Sequence, residues 1–154
     1  KDFYDIIYKY YNRYVKKYLK GRKMDNYKKT DKHVYLLQYH IIWCPKYRKN
    51  LLVNEIKEKL TEIINSISNQ NNCTIKSLEV MPNHVHLLIS LDYKISVQKF
   101  MKLIKGRSSN ELRSKFPELL KMSTLWTRSF FVSSIGNISE NTVKNYIESQ
   151  WKKQ

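Results

Sequence analysis

Apolar and polar positions alternate most clearly from His84 to Ile89. Val85, Leu87 and Ile89 fall on one side of an extended chain, His84 and His86 on the other. Residues 73–81 precede this run and Pro82-Asn83 interrupts the two, which predicts a tight β-hairpin with strands over 73–81 and 84–91. Residues 34–43 are apolar and rich in β-formers until Cys44-Pro45 stops them, which predicts another strand. In between, the period changes. Ile56, Leu60, Ile63, Ile64 and Ile67 recur at helical spacing with Lys57, Glu58 and Glu62 opposite them, the pattern of an amphipathic helix. Ser96 is placed to cap a second helix whose stripe is Val97, Phe100, Met101 and Ile104. A looser region follows through Phe116-Pro117. Residues 129–134 read as a strand broken by Gly136-Asn137, and Ser139 opens a last helix running to about Trp151.

The order strand, helix, strand, strand, helix, strand, helix predicts an α+β fold. Its expected core is a ferredoxin-like antiparallel sheet of the split βαβ kind, with helices packed on it and one more helix at the C-terminus. Residues 1–23 form a distinct stretch. Phe3, Ile7, Tyr10, Tyr14 and Tyr18 recur at helical spacing among Lys9, Arg13, Lys16, Lys17, Lys20 and Lys23, so a basic, tyrosine-striped helical extension is expected there. It either docks its stripe on the domain or a second subunit, or serves as an arm that stacks bases on tyrosine. The pattern changes at Met24, which divides the chain into the extension 1–23 and a domain over 24–154.

Length changes little in this picture, because 154 residues make one domain with room for its own core. Charge changes more. The 29 Lys and Arg exceed the 13 Asp and Glu by enough to leave a formal charge of +16, which points to nucleic acid as a partner ahead of an anionic membrane. No apolar run spans a bilayer and no apolar signal core opens the chain, so no membrane role and a cytoplasmic location are expected. Cys44 and Cys73 lack metal-ligand spacing and are expected as reduced thiols.

The candidate chemistry lies in His84 and His86. Two residues apart on a strand, they put two imidazoles side by side, half of a metal site. Tyr146 and Gln150 are four apart on the last helix and so lie about 40° apart around its axis. Val143 and Ile147 flank them, which turns this face toward the sheet. Two imidazoles and an amide oxygen make a neutral three-ligand set with open positions. A divalent ion held there polarises a phosphodiester as a Lewis acid, with the tyrosine hydroxyl as the nucleophile.

These residues carry a resemblance. The chain is similar to the single-tyrosine HUH transposases (the TnpA type) of small bacterial insertion sequences, where HUH stands for His-hydrophobic-His. The matching stretches are Tyr27-Lys28-Lys29-Thr30, the segment 34–52 with Trp43-Cys44-Pro45-Lys46-Tyr47-Arg48, and Met81-Pro82-Asn83-His84-Val85-His86-Leu87-Leu88. They continue with Lys105-Gly106-Arg107-Ser108-Ser109, Leu125-Trp126-Thr127-Arg128-Ser129-Phe130-Phe131 and residues 143–150. Together they span roughly 24–151, whereas the extension 1–23 lies outside the family's pattern. The resemblance implies that His84, His86 and Gln150 bind Mg²⁺ or Mn²⁺. It implies that Tyr146 attacks single-stranded DNA to leave a 5′-phosphotyrosine and a free 3′-hydroxyl, with hairpins near the element's ends as the bound DNA. It further implies a homodimer, with Gly136 as a hinge before the tyrosine helix.

The remaining charge fits this reading. Lys46, Arg48 and Lys49 follow the first strand, Lys99, Lys102, Lys105 and Arg107 lie on the second helix, and Arg128 sits beside the last strand. Each cluster is either a solvated face or a set of phosphate contacts that position DNA without reading it. His33 and His40 are left out of the chemistry, and His40, within an apolar strand, is expected as a core histidine. Trp43, Trp126 and Trp151 are expected to pack. Two other readings stay open on the residues alone. One is a single-strand nucleic-acid-binding module without catalysis, and the other is a related HUH nuclease, including a domesticated one that processes genomic hairpins.

Overall fold

The computed structural model describes residues 27–135. The extension 1–23, Gly136, Tyr146, Gln150, Trp151 and the expected last helix lie outside the described residues.

Six strands and two long helices account for this part of the chain. They are β1 (Lys28–Lys29), β2 (Val34–Tyr35), β3 (Gln38–Trp43), β4 (Thr74–Met81), β5 (His84–Ser90) and β6 (Phe131–Ser134), with α1 (Asn54–Gln70) after β3 and α2 (Val97–Lys115) after β5. The four longer strands form one antiparallel sheet in the order β4-β5-β3-β6. Since β3, α1 and β4 run in sequence while β5 lies between the two strands, this is the split βαβ, ferredoxin-like arrangement that the element order predicts.

Local sequence explains each piece. In β5 the alternation sends Val85, Leu87 and Ile89 into the core with Ile41 and Trp43 of β3. On α1 the buried positions Leu60, Ile63, Ile64 and Ile67 are those of the helical stripe, and on α2 they are Phe100, Met101, Ile104, Ser108 and Leu112. Ser96 caps α2, its side chain accepting a hydrogen bond from the Lys99 N–H at 3.1 Å. The β4–β5 hairpin turns on Pro82-Asn83, with Met81 opposite His84. The helices lie together on one face of the sheet. Arg107 of α2 donates to Gln70 Oε1 of α1 at 3.1 Å, and Lys59 approaches Glu111 at 4.0 Å.

Three details differ from the sequence pattern. The apolar run 34–43 is two strands: β2 pairs with β1, and β3 pairs with β5 and β6. The break falls where the Leu37 carbonyl accepts from the Leu91 N–H at 2.8 Å, which marks the chain's change of partners. The region after α2 is not loose, because Pro117–Lys121 make a 3₁₀ turn that buries Leu119 beside Phe116. The last strand begins at Phe131 instead of 129, since the preceding residues are held by side-chain bonds described below.

Cys44 and Cys73 are buried free thiols, as their spacing suggests. Trp43 and Trp126 pack edge to face with ring centroids 6.2 Å apart, and the Trp126 indole N–H donates to the buried Ser108 hydroxyl at 2.9 Å. Among the described residues, no helix is long and apolar enough to cross a membrane.

Candidate metal centre

The sheet face opposite α1 and α2 carries the histidines. β5 is a central strand, bonded to β4 on one side and β3 on the other, and all of its residues are buried. His86 stands between Ile42 of β3 and Glu79 of β4 in direct register, and His84 pairs with Met81. The His84 and His86 rings meet edge to face with centroids 4.8 Å apart. The two-residue spacing on one strand thus brings both imidazoles together on one face.

His40 joins them. Its Nε2 lies 3.3 Å from His86 Nδ1, and the two rings stack with centroids 5.5 Å apart. The sequence reading of His40 as a core histidine agrees with its 3% exposure, but its position against His86 makes it part of the site. The signal was present in the sequence: Gln38, His40 and Ile42 alternate with Tyr39, Ile41 and Trp43. A strand adjacent to β5 therefore presents His40 on the histidine face. Asn83 is the other residue that sequence reasoning passed over. Its side-chain oxygen lies 2.6 Å from His84 Nδ1. An amide oxygen can only accept, so His84 carries its proton on Nδ1 and directs the Nε2 lone pair outward from that bond.

Burial keeps these rings neutral. It lowers the pKa of His40, and of His84 with help from the nearby positive charge of Arg48. His86 is pushed down to about 3, by burial first and then by the neighbouring His84 and His40. Neutral imidazoles are the form that binds metal. The donor set fits a borderline divalent ion: two nitrogen ligands on a rigid strand, with Asn83 and His40 supporting them from behind. Among the described residues, no group of three or more His, Cys, Asp and Glu side chains is arranged to hold a metal ion, so the two ligands that this part of the chain could offer are His84 and His86.

The predicted basic residues fall into different settings. Lys49, Lys102 and Arg128 are exposed. Lys46 donates to the Ser123 hydroxyl at 2.8 Å and sits over the Tyr47 ring at 5.3 Å. Arg48 follows in the turn that leaves β3. Tyr47 and Arg48 both have left-handed backbone, with φ of 61° and 52°. Such backbone costs about 1–2 kcal/mol per residue with a side chain. Arg107 is taken up by Glu111 and Gln70. The Lys105 ammonium lies inside a turn and donates to the carbonyls of Thr127 at 2.9 Å, Arg128 at 3.3 Å and Ser129 at 2.8 Å, so it holds the approach to β6 in place.

Comparison with known proteins places the chain in a family. Residues 33–150 match the model of the IS200-like transposase family. The chain is 36% identical over 130 residues to the ISDra2 transposase TnpA of Deinococcus radiodurans, covering 82% of this chain and 93% of that protein. It is 31% identical over 118 residues to the transposase for insertion sequence element IS200 of Salmonella typhimurium, covering 73% of this chain and 76% of that one. A crystal structure of a Deinococcus radiodurans r1 protein superimposes with a TM-score of 0.66 at 36% identity, over 80% of this chain and 97% of that one. A REP-associated tyrosine transposase bound to a REP hairpin shares the fold at 14% identity and a TM-score of 0.53, over 79% of this chain and 67% of that one. With the ferredoxin-like sheet, the buried histidine pair and these matches together, the chain belongs to the IS200-like transposase family.

Proposed function

We propose that this transposase cleaves and rejoins single-stranded DNA at insertion-sequence ends through a 5′-phosphotyrosine on Tyr146. The observation that carries the reading is the pair of neutral, buried imidazoles, His84 and His86, side by side on the central strand β5 of an IS200-like transposase. With Gln150 they would hold Mg²⁺ or Mn²⁺. Such an ion supplies Lewis-acid polarisation of the scissile phosphodiester and orients it.

The chain's own residues do the rest. Asn83 fixes the His84 ring with its Nδ1 proton in place. A His86 that donates from Nδ1 toward His40 carries its lone pair on Nε2. The Tyr146 oxygen attacks phosphorus and the bond from phosphorus to the 3′ oxygen breaks, leaving a 3′-hydroxyl that takes up the proton. Attack of such a hydroxyl on a second phosphotyrosine reverses these steps and joins new ends, so no nucleotide cofactor is consumed. Lys46, Arg48, Lys49, Lys102 and Arg128 contact phosphates, while Lys105 and Arg107 act within the protein. The bound DNA is a single strand with end hairpins, a reading supported by the REP hairpin on the fold's relative. The protein works as a cytoplasmic homodimer with Gly136 as the hinge before the tyrosine helix.

The test mixes the protein with labelled single-stranded hairpin DNA from an element end, in Mn²⁺ or in EDTA, and runs a denaturing protein gel. The expected result is a slow-migrating adduct that needs the metal and vanishes in Tyr146→Phe. An adduct that survives Tyr146→Phe removes that residue as nucleophile. Tight, metal-independent binding with no adduct under any condition would leave a non-enzymatic binding module. Joining of two ends, tested in the same reaction, separates a mobile-element enzyme from a domesticated nuclease that only nicks.

A further inference from the structure

In the turn after β3, Tyr47, 76% exposed, lines a cleft of about 690 Å³. That volume lies within the range of about 300–1,000 Å³ found for small-ligand sites. Lys46, Lys105 and Arg128 put three cations on its wall, Trp126 forms part of its base, and none of its lining residues is acidic.

Gly106 is the most telling member of the lining. It sits in the middle of α2, where glycine weakens a helix relative to alanine. Nothing among the described residues requires it, because a Cβ built on Gly106 meets no heavy atom within 4 Å outside its own stretch of helix. The room it leaves opens into the cleft. Beside it stand two consecutive residues with side chains in left-handed backbone, Tyr47 and Arg48, a form of strain that clusters at ligand sites. Lys105 spends its ammonium on three carbonyls of the opposite wall, so that wall is preset.

We propose that this cleft holds one unpaired nucleotide of the DNA strand. Its base stacks on Tyr47, its sugar-phosphate passes over Gly106, and its phosphate lies between Lys46 and Arg128. Aromatic stacking and cationic backbone contacts are how single strands are held without a fixed sequence. The inference rests on the reading of a single DNA strand as substrate and adds where that strand is gripped.

The experiment measures binding by the full chain in EDTA, so that cleavage plays no part. The probes are a labelled single strand carrying 2-aminopurine, whose fluorescence falls on stacking, and the same strand annealed to its complement. Tyr47→Ala is expected to weaken single-strand binding about 5- to 100-fold and to abolish the stacking signal, whereas Tyr47→Phe stays within about twofold. Gly106→Ala is expected to weaken single-strand binding while the thermal midpoint holds or rises, a combination that a merely structural glycine does not give. Duplex affinity is expected to stay unchanged in all three. Parent-like single-strand affinity in both Tyr47→Ala and Gly106→Ala overturns the cleft assignment even if the Tyr146 adduct forms normally. A parent protein that binds no single strand overturns the proposed function and this inference with it.

Discussion

His86 Nδ1 and His40 Nε2 face each other at 3.3 Å across the two central strands of the sheet. A ring that must present one nitrogen to a ligand is oriented by whatever holds the other nitrogen. On the proposed metal-binding reading, His40 is therefore a positioning residue for His86.

Removing that support should weaken metal binding while the fold persists. His40→Ala is expected to reduce Mn²⁺ affinity about 10- to 100-fold, the usual effect of losing such a partner. His40→Gln, which keeps a polar group within reach, should recover part of the loss. Titration calorimetry with Mn²⁺ checks this, and parent-like affinity in His40→Ala would relieve His40 of the role.

The histidines also set an acid limit on the metal-free fold. His86 falls from 6.5 to about 3 on folding, so between those values the unfolded chain binds a proton that the folded one does not. Stability is full above the unfolded value and falls as pH drops through the window, by about 1.4 kcal/mol per pH unit for one such group. His40 and His84 shift in the same direction and steepen the loss. Urea unfolding in EDTA at neutral and mildly acidic pH measures the slope, which His86→Gln should flatten.

Lys105 and Lys102 lie on the same helix and should behave as opposites. Lys105→Met removes the ammonium that three carbonyls share, an expected cost of about 1 kcal/mol because the bonds to Arg128 and Ser129 are exposed and the Ser129 carbonyl also accepts from the Thr127 hydroxyl. Lys102 is exposed, and Lys102→Ala should change stability by less than about 0.5 kcal/mol. Thermal unfolding of the two variants side by side is the check, and equal midpoints would refute the difference.

Asp92 anchors the small β1–β2 hairpin. Its carboxylate accepts from the Asn72 amide at 2.8 Å, the Lys94 N–H at 2.8 Å and the Tyr35 hydroxyl at 3.5 Å, while the Lys28 ammonium donates to the Asn72 carbonyl at 2.5 Å. The Lys94 N–H does most to hold its pKa below the usual carboxylate value, and the Asn72 amide and the charges of Lys28 and Lys94 add to this against the opposing effect of burial. Asp92→Ala should speed amide exchange across residues 28–35 and leave β5 protected. Uniform protection in the variant would show that the hairpin is held by other contacts.

Sequence pattern carried the architecture well where one face of an element was apolar. The period-two run at 84–89 and the helical stripe from Ile56 to Ile67 reappear as β5 and α1 because burial of one face sets both. Ser96 was legible as a cap for a local reason, a hydroxyl one turn before a free N–H. What pattern alone could not supply was the choice of neighbour. Residues 34–43 are apolar but for Gln38 and His40, and neither of these tells where pairing passes from β1 to β5. His40 was underread for the same cause: its meaning depends on which strand lies beside it. Lys105 and Arg107 look like surface cations in one dimension, and only the return of residues 127–129 and the approach of α1 reveal what they bind. Tyr146, Gln150 and Gly136 lie outside the described residues, so the site that joins them to His84 and His86 stands as a proposal.

The strand order β4-β5-β3-β6 has a consequence for how this half-site withstands motion. β5 and β3 are the interior strands, each hydrogen-bonded along both edges, and they carry His84, His86 and His40. Edge strands can fray one at a time, but the interior pair separates only when the whole sheet comes apart. The imidazoles are thus set into the last part of this sheet to open, and their spacing survives fraying of either edge strand.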